Sequence, residues 1–155
     1  MQSLHYQLHK IPVEGGVLSV GEWGNAGPVL LCSHGITANH LSFLDFARQT
    51  LGEFRLLAPD HRGRGLSASV AGPYSMEAHA RDLVAVLDYF NIERAPAHIG
   101  HSMGAFIGVV AKALYSDRLG EFILVDGGLP LADELPQGLT TQQVVEAVIG
   151  PSMAR

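Results

Sequence analysis

The sequence predicts an α/β protein: a mostly parallel sheet with helices on both faces. Three observations carry this. Short apolar runs of the buried-strand type recur at Val29-Leu30-Leu31-Cys32, Phe54-Arg55-Leu56-Leu57-Ala58 and Glu121-Phe122-Ile123-Leu124-Val125. Segments with helical spacing lie between them. A strand, a sharp turn and a helix are written into Ala95 to Ala111, where an apolar segment enters Gly100-His101-Ser102-Met103-Gly104 and an Ala/Val/Ile-rich segment leaves it.

A length of 155 residues suits one domain rather than two, and 47% hydrophobic against 16% charged residues suits a sheet covered on both sides. The net charge is −5 and the ten Lys and Arg form no stripe, which argues against a nucleic-acid partner or an anionic membrane surface. Cys32 is the single cysteine, so neither an intrachain disulfide nor a cysteine zinc site can form; it reads as a small buried hydrophobe. The first residues lack the basic flank and apolar core of a secretory signal, and no run is long enough to span a bilayer, so a cytoplasmic location is expected.

In chain order, Leu4 to Val13 alternates, with Leu4, Tyr6 and Leu8 opposite His5, Gln7 and His9. Glu14-Gly15-Gly16 breaks the pattern before Val17 to Val20, which predicts an antiparallel hairpin at a sheet edge. Trp23 to Pro28 reads as a turn. The loop Ser33 to Asn39 follows a buried strand at its carboxyl end, where open α/β sheets place ligands. Phe43, Leu44, Ala47 and Leu51 space a helix over His40 to Leu51. Pro59 to Ser67 is a Gly-rich turn; without a Gly-x-x-x-x-Gly-Lys pattern it reads as a tight turn braced by Asp60 and Arg62 rather than as a phosphate cradle. Ser75 caps a helix to about Phe90, with Met76, Ala80, Leu83, Val84 and Leu87 on one face and Glu77 placed to pair with Arg81. Asp126-Gly127-Gly128 ends the last strand. Beyond Pro130 a loop-like stretch precedes a modest amphipathic helix from Thr140 to Ile149.

Ser102 is the candidate nucleophile. A serine between a strand end and a helix start sits in strained backbone beside free helix N–H groups, and Gly100 and Gly104 leave room for the close approach. No metal-ligand spacing of the His-Glu-x-x-His type occurs, no metal or cofactor is implied, and His5 and His9 read as residues of a half-exposed strand.

Four signals stand in one order: His34-Gly35 after a buried strand, Asp60-x-Arg62-Gly63-x-Gly65-x-Ser67, Gly100-His101-Ser102-Met103-Gly104, and Leu124-Val125-Asp126-Gly127. Together they resemble the α/β-hydrolase fold family, in particular its single-domain serine esterase, lactonase and carbon–carbon-bond hydrolase members. The resemblance implies that Ser102 attacks the carbonyl of a small-molecule ester, lactone or related substrate, and that the backbone N–H groups of Met103 and Ile36 form the oxyanion hole. It makes His34 a loop organiser and Asp126 a candidate acid. Dehalogenase and epoxide-hydrolase relatives carry Asp where Ser102 stands; a cofactor-free perhydrolase or haloperoxidase would share Ser102.

The same resemblance places the catalytic His late in the chain, and all eight His here precede Ser102. Residues 1–130 then correspond to a partial core lacking its last strands, and 131–155 to the start of a helical cap. The sequence is thus expected to be the amino-terminal part of a serine hydrolase, inactive or weakly active by itself. The apolar strand Phe122 to Val125 would form an open edge. Such an edge suits self-association or a complementing C-terminal segment, and the alternative is a non-catalytic assembly protein that pairs through it.

Overall fold

The computed structural model describes residues 3–50, 52–128 and Gln143. The expected cap segment, 131–155, lies outside these residues apart from Gln143. Six strands form one sheet in the order β1-β2-β4-β3-β5-β6. They are β1 (Tyr6–Val13), β2 (Gly16–Trp23), β3 (Val29–Ser33), β4 (Arg55–Pro59), β5 (Ala95–His101) and β6 (Leu119–Val125). The hairpin β1-β2 is antiparallel and β2 runs antiparallel to β4, whereas β3 is parallel to β4 and β5, and β5 to β6.

Alternation along the central strands divides the core in two. Leu31 of β3 and Leu57 of β4 pack on one face with residues of α2 (Met76–Tyr89) and α3 (Met103–Leu114), among them Leu83, Leu87, Ile107 and Val110. Their neighbours Leu30, Cys32, Leu56 and Ala58 pack on the other, with Trp23, Phe43 and Ala47. Both faces of β3 and β4 are therefore covered, which is why these strands read as continuous apolar runs. Burial pushes the Cys32 thiol far up, so it is an inert core group. Among the described residues no helix is long and apolar enough to cross a membrane.

Several local expectations change. The helix expected over His40 to Leu51 is a 3₁₀ turn, His40–Phe43, capped by the Asn39 side chain, followed by α1 (Leu44–Gln49). β2 continues through Gly21, Glu22 and Trp23 because these residues pair with Ala58, Leu57 and Leu56 of β4. In β1 the apolar positions Tyr6 and Leu8 are exposed, and the opposite face carries the buried Ile11. His9 is accepted on that face because Glu22 bonds it at 2.6 Å and the Phe90 ring meets it edge-on. Ser75 caps α2 as expected, accepting the Ala78 N–H at 3.2 Å. The buried face of α2 is wider than its apolar stripe, since His79 and Asp82 are buried too. Arg81 lies 3.9 Å from Glu14 and forms no ion pair with Glu77.

Candidate active site

Ser102 lies where β5 gives way to α3, with φ 51° and ψ −117°, values of neither strand nor helix. A positive φ at a residue with a side chain costs on the order of 1–3 kcal/mol and persists only where the surroundings over-determine it. Here they do. The Ser102 N–H donates to the Val125 carbonyl at 2.9 Å, and its own carbonyl accepts from the Ala105 N–H at 2.9 Å. A Cβ on Gly100 would overlap the Gly104 carbonyl, and one on Gly104 would overlap the Ser33 carbonyl and lie 2.8 Å from that of His34. The turn, the start of α3 and the end of β3 thus meet backbone to backbone. Both glycines are required by this contact, as expected.

The result is a half-exposed Ser102 side chain on a buried helix start. Met103 is the first residue of α3, so its N–H has no acceptor within the helix, and the helix dipole adds partial positive charge there. The Ser33 to Asn39 loop lies alongside: a Cβ on Gly35 would sit 3.5 Å from Ser102 Cβ and 3.1 Å from His101 Nδ1. Ile36 is exposed in this loop. Among the described residues the N–H groups of Met103 and Ile36 donate to no protein acceptor.

His34 is fully buried, and its two ring nitrogens are assigned by their partners. The His61 N–H, which can only donate, meets Nε2 at 3.0 Å, so Nε2 is the bare acceptor. Nδ1–H then donates to the Gly35 carbonyl at 2.7 Å. Burial lowers its pKa and favours this neutral form. Both nitrogens are thereby committed to the backbone.

Asp126 follows β6 with φ 52°, and its side chain is exposed. A Cβ on the next residue, Gly127, would lie 2.8 Å from the Ser102 carbonyl and 3.1 Å from its Cα, so the end of β6 abuts the serine's backbone. Asp126 forms no hydrogen bond or ion pair among the described residues, and no described side chain bonds Ser102 Oγ.

Two constellations were not legible in the sequence. Asp60 is braced by His40, not by Arg62: its Oδ1 accepts from the His40 N–H at 2.6 Å and from His40 Nδ1 at 2.7 Å, and Oδ2 accepts from the Leu66 N–H at 2.8 Å. These donors hold the carboxyl below its usual pKa against the opposing effect of burial. Arg62 instead donates to both oxygens of Asp82 at 2.7 Å and to the carbonyls of Glu14, Ala71 and Pro73, which uses all five of its N–H groups.

The His61 and His79 rings are buried at 5.3 Å between centroids, and among the described residues neither His61 ring nitrogen has a hydrogen-bond partner. Burial drives His61 well below the usual histidine range and His79 down to about 3. His98, bonded through Nε2 to Ser33 Oγ at 2.8 Å, is pushed down to about 4. Among the described residues no group of three His, Cys, Asp or Glu is arranged to hold a metal ion.

Residues 28–145 match the sequence profile of the alpha/beta hydrolase fold family. The chain is 34% identical over 115 residues to a 3-hydroxybutyrate-oligomer hydrolase of Cupriavidus necator, a match covering 72% of this chain and 39% of that protein. It is 31% identical to a 2-(acetamidomethylene)succinate hydrolase of Mesorhizobium japonicum, over 79% of this chain and 43% of the relative. A solved thermophilic esterase from Thermogutta terrifontis superposes with a TM-score of 0.67 at 28% identity, covering 76% of this chain and 44% of the esterase. The chain therefore belongs to the α/β-hydrolase fold family. It spans less than half the length of these relatives.

Proposed function

We propose that this chain supplies the nucleophile half of a serine hydrolase acting on an ester, lactone or related carbonyl substrate. The observation that carries the reading is Ser102 at φ 51° between β5 and α3, beside two backbone N–H groups that have no acceptor among the described residues. In this reading Ser102 Oγ attacks the carbonyl carbon, its proton passes to a general base, and the N–H groups of Met103 and Ile36 take the developing oxyanion. Each such donor is worth about 2.7–4 kcal/mol at the transition state. The names of the relatives, hydrolases of a 3-hydroxybutyrate oligomer and of 2-(acetamidomethylene)succinate, support hydrolysis as the reaction class.

The base is the part this chain does not supply. His34 has both nitrogens committed, His101 makes no bond to Ser102, and no His follows position 102. In the reading proposed, the base enters with a segment that continues the sheet from β6, and Asp126 is the candidate acid beside it. Loss of a triad base costs about a million-fold in turnover. The 155-residue chain is therefore expected to turn over p-nitrophenyl esters barely above background while still taking a fluorophosphonate label slowly. Labelling that persists in Ser102→Ala would overturn the assignment.

A second reading, in which the fold serves assembly rather than chemistry, draws on β6. Among the described residues β6 ends the sheet, and Phe122, Ile123 and Val125 are 38%, 52% and 44% exposed. An apolar edge of this kind pairs with another chain. Light scattering that finds a dimer unaffected by Ser102→Ala and broken by Ile123→Lys would favour this reading; a monomer at high concentration would remove it.

A further inference from the structure

The loop that carries Ile36 has little to hold it from within. Among the described residues one backbone bond closes it between His34 and His40, Ala38 N–H to the Gly35 carbonyl at 3.1 Å, and Ile36 is 57% exposed. The holding comes from one short stretch at the end of β4. At the loop's start the His61 N–H reaches His34 Nε2, and at its end Asp60 takes the His40 N–H and Nδ1–H. In the middle, Arg64 Nε donates to the Ile36 carbonyl at 2.8 Å.

Arg64 is itself braced. Its N–H donates to the His61 carbonyl at 2.9 Å and its Nη1 to the Arg62 carbonyl at 3.3 Å, so the guanidinium is fixed to its own turn. Unlike Arg62, it has no carboxylate partner among the described residues. A cation whose directed bond goes to the carbonyl of Ile36 holds the peptide that follows this residue, and so restricts the backbone that carries the Ile36 N–H. Charge-assisted bonds to a carbonyl are shorter and stronger than neutral ones, and the guanidinium fork fixes orientation as an ammonium does not.

We propose that Arg64 is a positioning residue for the oxyanion-hole loop, setting the Ile36 N–H through its bond to the Ile36 carbonyl. This rests on the serine reading above. Donors to a developing oxyanion must be held within about 0.5 Å of their working position, and a fixed donor costs no reorganisation at the moment of reaction. The Gly-rich turn carries no phosphate-binding pattern; its role is to grip the loop at three points, through Asp60, His61 and Arg64.

Two measurements test this on the chain as it stands. Amide hydrogen exchange is compared between wild type and Arg64→Ala, and exchange at residues 35–38 is expected to speed up on the order of tenfold while residues 100–106 are unchanged, as for a locally released loop. The rate of fluorophosphonate labelling at Ser102 is expected to fall on the order of tenfold, the scale of a displaced rather than deleted donor. Millimolar methylguanidine is expected to restore part of it, and Arg64→Lys less. Unchanged exchange at 35–38 overturns the clamp whatever the labelling shows. Slowed labelling without rescue, accompanied by exchange changes across the whole sheet, assigns Arg64 to general stability and likewise overturns it. Unchanged labelling in Arg64→Ala, with labelling lost in Ser102→Ala, overturns the positioning role and leaves the serine reading intact. Labelling that survives Ser102→Ala, or a wild type that takes no label, overturns both.

Discussion

The elbow at Gly100 to Gly104 and the loop at His34 to His40 face each other across the candidate site, yet different forces hold them. The elbow is held by sterics and main-chain bonds: β5, α3 and the end of β3 touch backbone to backbone with no room for a side chain, and the Ser102 N–H to Val125 and Ala105 N–H to Ser102 bonds, which do not titrate, close it. The loop is held by polar contacts from the end of β4, through Asp60, His61 and Arg64. Steric contact is insensitive to pH and cannot be rescued by a substitute group; a polar grip is sensitive to both. One half of the site is thus rigid by construction, and the other is as rigid as its hydrogen bonds.

The sharpest way to break this comparison is Gly104→Ala. The added methyl meets the Ser33 and His34 carbonyls, which cannot move without displacing β3, so a loss of about 4 kcal/mol is expected. A denaturation midpoint close to wild type would show the elbow to be looser than described. Asp60→Ala attacks the other half. It strands the His40 N–H, the His40 Nδ1–H and the Leu66 N–H, and about 3 kcal/mol is expected. Asp60→Asn, which keeps one acceptor oxygen, should recover part of that in urea unfolding.

Acid separates the halves next. An unfolded histidine has a pKa of about 6.5, while burial holds folded His98 at about 4 and His79 at about 3. Between those values the unfolded chain binds more protons. Stability is therefore full above pH 6.5 and falls as the pH drops toward 4, by up to about 1.4 kcal/mol per pH unit for each histidine. His61 and His34 shift in the same direction. Protonation of His34 at Nε2 would also break its bond from His61, so exchange at residues 34–38 should rise as the pH falls; unchanged exchange there would show that the loop does not depend on this bond. At the bottom of the scale, the exposed Arg48 and Asp45 pair, 3.1 Å apart, should cost a few tenths of a kcal/mol in Arg48→Ala by thermal unfolding. A larger loss would mean that α1 depends on more than its buried face.

Much of this was legible in the sequence because the signals are local. Gly100 and Gly104 flank Ser102 within five residues, Ser75 caps the helix it immediately precedes, and the apolar runs at Val29 and Phe54 declare strands buried on both faces. The misreadings fall where partners are distant. Arg62 finds Asp82 rather than Asp60, and Asp60 finds His40, each pairing created by strands and helices meeting in space. β1 misled for a related reason: at a sheet edge the apolar alternation does not fix which face is buried, and the α2 contacts through Ile11 decide it.

The sequence alone thus determined the class of fold, the order of its elements and the presence of a strained serine, since each depends on periodicity or on glycine within a few residues. Only the tertiary structure decided what grips the Ser33 to Asn39 loop and which histidines lie buried. A hydrogen bond between residues 20 to 30 apart exists only once the sheet order β2-β4-β3-β5 has brought their backbones together.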